Sequence, residues 1–124
     1  MNPYQFRISL KLRHPTKDLS FASAQLGLAP RQQWTYGAPR TAVTGVSLEG
    51  EYRESYWVAA LLGDSLHDSR QQSLDEALAA VLENLRPHHA FLNQFQDDGG
   101  SLYLFVGIFG RRNFRLAILT ESFE

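Results

Sequence analysis

From Tyr4 to Arg13 apolar and polar residues take turns: Tyr4, Phe6, Ile8, Leu10 and Leu12 interleave with Gln5, Arg7, Ser9, Lys11 and Arg13. A period of two sustained this long predicts a strand with one buried face and one wet face. His14-Pro15 ends it, because proline has no N–H to give to a ladder. Leu19, Ala22 and Leu26 are then spaced as one face of a short helix, capped by Asp18 or Ser20 and closed by Gly27, with Pro30 just beyond. Residues 31–37 predict a short strand. Residues 37–50, rich in Gly, Pro, Thr and Ser, predict a long loop or irregular hairpin. Residues 51–62 are aromatic and β-branched enough for a second long strand. It has Trp57, Ala59 and Leu61 on one face and Tyr52, Tyr56 and Val58 on the other.

The clearest helix follows. Ser73 and Glu76 have the spacing of a capping box, and Leu74, Leu78, Val81, Leu82 and Leu85 recur at three and four residues. Pro87 breaks or restarts it, and Phe91, Leu92 and Phe95 predict further helical turns. Asp98-Gly99-Gly100 turns the chain into the strand Ser101–Phe109. Residues 110–113 turn it again, into a returning strand over 114–120. The order β-α-β-β-α-β-β predicts an α+β fold. Its sheet is antiparallel-dominated and four- or five-stranded, with helices near 19–27 and 73–86 on one face. The plan expected is ferredoxin-like (split βαβ) with an added edge strand. A looser α+β sheet with two or three helices on one side is the rival.

No repeat, low-complexity stretch or linker divides residues 1–124, so a single domain is expected. A chain of 124 residues with 44% hydrophobic and 12% aromatic content can bury a core without a metal or disulfide. The absence of cysteine excludes disulfides, thiolate metal sites and cysteine nucleophiles. No apolar run resembles a signal peptide or a membrane span, so a cytoplasmic location is expected. Twelve basic and thirteen acidic residues give a formal charge of −1, which argues against a nucleic-acid partner. The basic residues are nevertheless clustered, as Arg7, Lys11 and Arg13 in the first strand and Arg111, Arg112 and Arg115 near the end.

Candidate chemistry is sparse. Asp64, His67 and Asp68 make a D-x-x-H-D cluster in a polar linker, and His88-His89 begin a helix, where neighbouring side chains point about 100° apart. Neither is a preorganised ligand set. No nucleophile elbow, P-loop, dinucleotide fingerprint or H-E-x-x-H motif is present, and Glu49, Glu51 and Glu54 suit a wet strand end better than acid–base work. The sequence thus points to no catalytic residue, no cofactor and no metal.

The strand Ser101–Phe109 is apolar on both faces, with Leu102, Leu104, Val106 and Ile108 one way and Tyr103, Phe105 and Phe109 the other. A sheet with helices on one side needs only one apolar face. Three accounts compete. The aromatic face could stack nucleobases, it could be covered by the 37–50 loop or a third helix, or it could form a dimer or partner interface. Asp97-Asp98 just ahead of the strand repel phosphate, while Arg7, Lys11 and Arg13 would share the open face. Coverage or self-association through Tyr103, Phe105 and Phe109 is the favoured expectation, and a homodimer leads it. Arg31, Trp34, Tyr36 and Arg40 are the candidate partner-binding residues, because Arg, Trp and Tyr combine buried area with a hydrogen-bonding tip.

The alternating strand ending at His14-Pro15, Leu26-Gly27-Leu28-Ala29-Pro30, Gly37-Ala38-Pro39-Arg40, Trp57 in a strand and the leucine-striped helix leading to Pro87 form a pattern. This pattern resembles the DUF4279 family of small bacterial proteins. The resemblance implies no catalytic residues. The function expected is a non-catalytic protein-binding or regulatory module with an unknown protein partner, an immunity-type toxin neutraliser being one form. The alternative is a small enzyme or ligand-binding domain using the 37–50 loop, and RNA binding through the open sheet face ranks below both.

Overall fold

The computed structural model describes residues 3–42, 44–63 and 65–110, and the backbone of 114–119. Arg111, Arg112, Asp64 and residues 120–124 lie outside the described residues. The strands are β1 (Gln5–His14), β2 (Gln32–Trp34), β3 (Pro39–Thr41), β4 (Ser47–Glu51), β5 (Ser55–Leu61), β6 (His67–Asp68), β7 (Ser101–Phe109) and β8 (Phe114–Leu119). The helices are α1 (Phe21–Leu26), α2 (Leu74–Leu85) and α3 (His89–Asp97), with a 3-10 turn at Arg86–His88 between the last two. The fold is α+β, and every pairing in its sheets is antiparallel.

The main sheet runs β2-β5-β1-β7-β8, with the short β6 pairing beside the start of β1. β1 is central, and β5 and β7 flank it along most of its length. β1 and β2 therefore run the same way with β5 between them, and β5 and β7 run the same way with β1 between them. Each parallel pair is bridged by helix, α1 for the first and α2–α3 for the second. That returns the helices to one side of the sheet. Phe6, Ile8, Leu10 and Leu12 of β1 are fully buried there with Trp57 of β5 and Leu102 and Val106 of β7. Leu19, Ala22, Val81, Leu85, Leu92 and Phe95 pack on them from the helical layer. The apolar set of β1 is buried as the alternation predicts, while Ser9 on the opposite face is buried as well, beneath its neighbours in the sheet.

Local details follow residue chemistry, with some corrections. The Ser73 hydroxyl accepts the N–H of Glu76 at 3.1 Å, as the box requires, and its other bond goes to the Glu76 carboxylate at 3.1 Å. Ser20 makes no side-chain cap on α1. Instead Asp18 Oδ1 accepts the Ser20 N–H at 2.8 Å, and that bond holds the Asp18 carboxyl below its usual range. Gly27 closes α1 at φ 67°, in the left-handed region. Pro87 restarts rather than breaks the helix, because it sits in the first turn of a 3-10 segment where its missing N–H costs nothing. The indole N–H of Trp57 donates to Ser23 Oγ at 3.1 Å, tying β5 to α1. The predicted strand over 31–37 shortens to β2, and the one over 51–62 begins only at Ser55.

β3 and β4 pair as a separate two-stranded hairpin, and their strand residues are all exposed. Among the described residues no helix is long and apolar enough to cross a membrane.

Asp68 in β6 illustrates how tightly a short turn can hold a charge. Its carboxylate takes the Arg70 backbone N–H at 2.9 Å and the guanidinium at 2.7 Å, which brings its carboxyl down to about 2. Because the folded carboxyl is the stronger acid, this pairing stabilises the fold above the ordinary carboxyl range and is lost as pH falls through about 2. A carboxyl NMR titration should place the Asp68 midpoint near 2 in the native chain and much closer to the ordinary range in Arg70→Gln. An unmoved midpoint in the variant means that Arg70 is not the cause.

Candidate functional site

Opposed residues in an antiparallel pair share a face, so the register decides what gathers on the helix-free side. Arg13 pairs with Tyr56, and Tyr56 pairs with Trp34. Lys11 stands between Val58 and Tyr103, and Val58 in turn faces Gln32. Ser9 stands between Ala60 and Phe105, and Arg7 is opposite Gly107. Large side chains thus crowd the rows through Arg13 and Lys11, while Ser9, Ala60 and Gly107 leave the next rows low. The result is a cavity of about 510 Å³ on the helix-free face. Ser9 and Gly107 line its floor, Tyr56, Val58, Phe105 and Phe109 its walls, and Arg7, Lys11 and Arg31 supply its charge. Gln32 adds an amide. No carboxylate and no histidine line it among the described residues.

Cations on this face lie on rings. Lys11 Nζ is 3.9 Å from the centroid of Phe105, and the Arg13 guanidinium is 5.5 Å from Tyr56 and 5.9 Å from Tyr103. Such contacts hold a cation at a partly desolvated site without neutralising it. Arg13 is also paired with Glu54 at 3.1 Å, between side chains each a little under half exposed. Arg7 differs. Its Nε is buried and without a hydrogen-bond partner among the described residues. A buried donor left unpaired is costly unless an acceptor arrives. Burial lifts the Tyr56 phenol above its ordinary range, the charge of Arg13 opposing it, so near neutral pH Tyr56 presents an intact O–H.

The four candidate partner-binding residues are not one cluster. Arg31 precedes β2 and reaches the cavity. Trp34 is stacked between Tyr52 at 4.7 Å and Tyr56 at 4.5 Å, so it walls the sheet edge. Tyr36 is exposed, and Arg40 is on the hairpin with Nη1 3.3 Å from the Glu49 carbonyl. Tyr103, Phe105 and Phe109 do share the helix-free face, but each is half-buried. Lys11 and Arg13 clothe two of these rings, which removes much of the reason for expecting a second copy over them. The 37–50 segment contributes no described residue to the cavity.

Elsewhere, His67 stacks on Phe6 at 5.3 Å and His89 Nδ1 lies 3.0 Å from the Arg86 carbonyl. Among the described residues no three His, Asp or Glu side chains gather closely enough to hold a metal ion. Sequence reasoning missed the cavity itself. Its signal was Gly107 inside an apolar strand, a residue type that weakens a strand and often marks a close approach. Comparison of the chain with known protein families, with curated proteins and with solved structures returned no match.

Proposed function

We propose that the chain is a non-catalytic recognition module, acting in the cytoplasm, that takes an anionic ligand on the helix-free face of its sheet. The observation that carries this is the one-sided charge of the cavity. Arg7, Lys11 and Arg31 line it and no described acid does, although the chain as a whole has a formal charge of −1. Concentrating charge of one sign in a low-dielectric depression raises the local concentration of the opposite ion. Catalysis is not favoured, because the cavity's hydroxyls, Ser9 and Tyr56, face no histidine or carboxylate among the lining residues.

Immobilised heparin tests this without knowledge of the ligand. The chain should be retained at low salt near neutral pH despite its net charge. Retention should fall steeply with salt and vanish in Arg7→Gln/Lys11→Gln/Arg31→Gln. Flow-through of the native chain, or equal retention of the triple variant, removes the basis of the proposal.

A protein contact through the hairpin is a second reading, favoured by one observation. Tyr36, Val46 and Leu48, three large apolar side chains on or beside β3-β4, are 51%, 61% and 44% exposed. A partner found by either route should be tested against Tyr36→Ser and Leu48→Ser. Loss of binding in these variants, with heparin retention unchanged, assigns the partner to the hairpin.

A further inference from the structure

We infer that the cavity is built for a nucleoside phosphate unit, a planar base carrying a phosphate, rather than for a bare anion. This rests on the anion-binding face proposed above and names its ligand class. The volume is the first reason. About 510 Å³ lies within the roughly 300–1,000 Å³ typical of small-ligand sites, and far exceeds what a phosphate alone fills.

The walls are the second reason. Tyr56, Phe105 and Phe109 line the same depression as the cations. Tyr56 is already covered by Trp34 and Arg13, but the half-buried rings of Phe105 and Phe109 would give a simple anion nothing, whereas base–aromatic stacking binds any base by its π-face. Gln32 brings an amide that both donates and accepts, and the neutral phenol of Tyr56 does the same, so the edge of a base has partners there.

The third reason is the placing of charge. Arg7 holds a buried Nε with no described acceptor, and it lines the cavity opposite Gly107. A phosphate entering beside Arg7 would draw the guanidinium out to it, and two parallel N–H bonds are the geometry in which guanidinium binds phosphate best. Lys11 lies on Phe105 at 3.9 Å. A base taking that ring face would stand where the ammonium now lies, so ring and charge sit at one place. Gly107 lies in the lining beneath the ring of Phe109, so any side chain added there presses on that wall. A Cβ there meets the ring of Phe109 at 3.3 Å, so a methyl asks that ring to give by a small shift and a larger side chain displaces it.

Trp34 fluorescence supplies the readout, because Trp34 stacks on Tyr56 of the cavity wall while Trp57 is fully buried. The intact chain is titrated with AMP, UMP, adenosine, ribose 5-phosphate and a short oligouridylate. At least one mononucleotide should bind with a Kd below about 1 mM, roughly tenfold or more tighter than ribose 5-phosphate or adenosine. Arg7→Gln should weaken the mononucleotide by roughly tenfold and leave adenosine unchanged, since only the phosphate has lost its partner. Gly107→Ala should weaken binding by shifting the Phe109 wall, and Gly107→Val should abolish it, with circular dichroism showing that the sheet still forms. Oligouridylate binding roughly a hundredfold tighter than UMP assigns the unit to a single strand, and equal binding assigns it to a free nucleotide; both support the inference. If ribose 5-phosphate matches the mononucleotides, the base has no role and the inference is overturned, while the anion-binding face survives. If nothing in the panel binds but heparin retention persists, the outcome is the same. Loss of both removes the inference and the proposed function together.

Discussion

Gly100→Ala should destabilise the domain by roughly 1–3 kcal/mol, the usual cost of forcing extra volume into a packed site. A Cβ at this position would sit 2.4 Å from Cε2 and Cζ of Phe95 and 2.7 Å from Cδ2, far inside contact distance. Neither side can give way. Phe95 is 2% exposed in the core, and the Gly100 N–H is tied to the Phe95 carbonyl at 2.9 Å. The Gly99 N–H meets the Gln96 carbonyl at 3.0 Å, so the two glycines close α3 with a pair of crossed bonds. Gly99 is there for its φ of 100°, but Gly100 is there for space. The two roles separate in a double-mutant cycle. Phe95→Leu should itself be destabilising, yet it should make Gly100→Ala nearly harmless, with a coupling of about 1 kcal/mol or more. Denaturant unfolding of the four proteins measures this, and additive costs would show that the glycine is needed for its backbone instead.

Much of the frame was legible because its signals are local. The alternation from Tyr4 to Arg13 and the leucine stripe from Leu74 to Leu85 each specify an element and its buried face without reference to the rest of the chain. The two-faced character of Ser101–Phe109 was legible in the same way, and its inward set is indeed core. The site was less legible, since it depends on which strands become neighbours. Arg7 and Gly107 are a hundred residues apart. Only the pairing of β1 with β7 turns a small residue in one and a cation in the other into a cleft.

Two inferences drawn from adjacency in sequence changed for that reason. Asp97 and Asp98 precede the aromatic strand, and in the sequence alone they stand against a phosphate ligand. Folded, they end a helix on the covered side, where Asp98 is held by Lys17 at 3.5 Å and by the Gln94 amide at 3.2 Å. Tyr103 and Phe105 look bare in a strand read alone, yet the neighbouring strand lays Arg13 and Lys11 over them. Long cationic side chains cover apolar surface with their stems, and Arg13 is held over its rings by Glu54 at 3.1 Å. The same cover that weakens the case for a dimer creates the case for an anion.

His14 was read as the end of a strand, and the structure makes it the keystone of the corner that Gly100 also serves. Its ring is 8% exposed and 6.0 Å from that of Phe95. Nδ1 accepts the backbone N–H groups of Thr16 and Lys17 at 3.1 and 2.9 Å, turning the chain out of β1 past Pro15. Because Nδ1 accepts, the ring hydrogen sits on Nε2, which donates to the Asp98 carbonyl at 3.0 Å. One side chain thus caps the turn after β1 and anchors the turn before β7. His14→Ala should cost roughly 3–5 kcal/mol, about 1 kcal/mol for each of the three bonds and the remainder for lost packing on Phe95. Asparagine and glutamine divide that cost. The Asn Oδ1 stands where Nδ1 does and keeps the two backbone donors satisfied, while the Gln Nε2 stands where the ring Nε2 does and keeps only the reach to Asp98. His14→Asn should therefore recover more than half of the loss, and His14→Gln less. Equilibrium unfolding of the three variants gives the ranking directly. Glutamine equal to or better than asparagine would mean that the tie to Asp98, and not the cap on Thr16 and Lys17, holds the corner together.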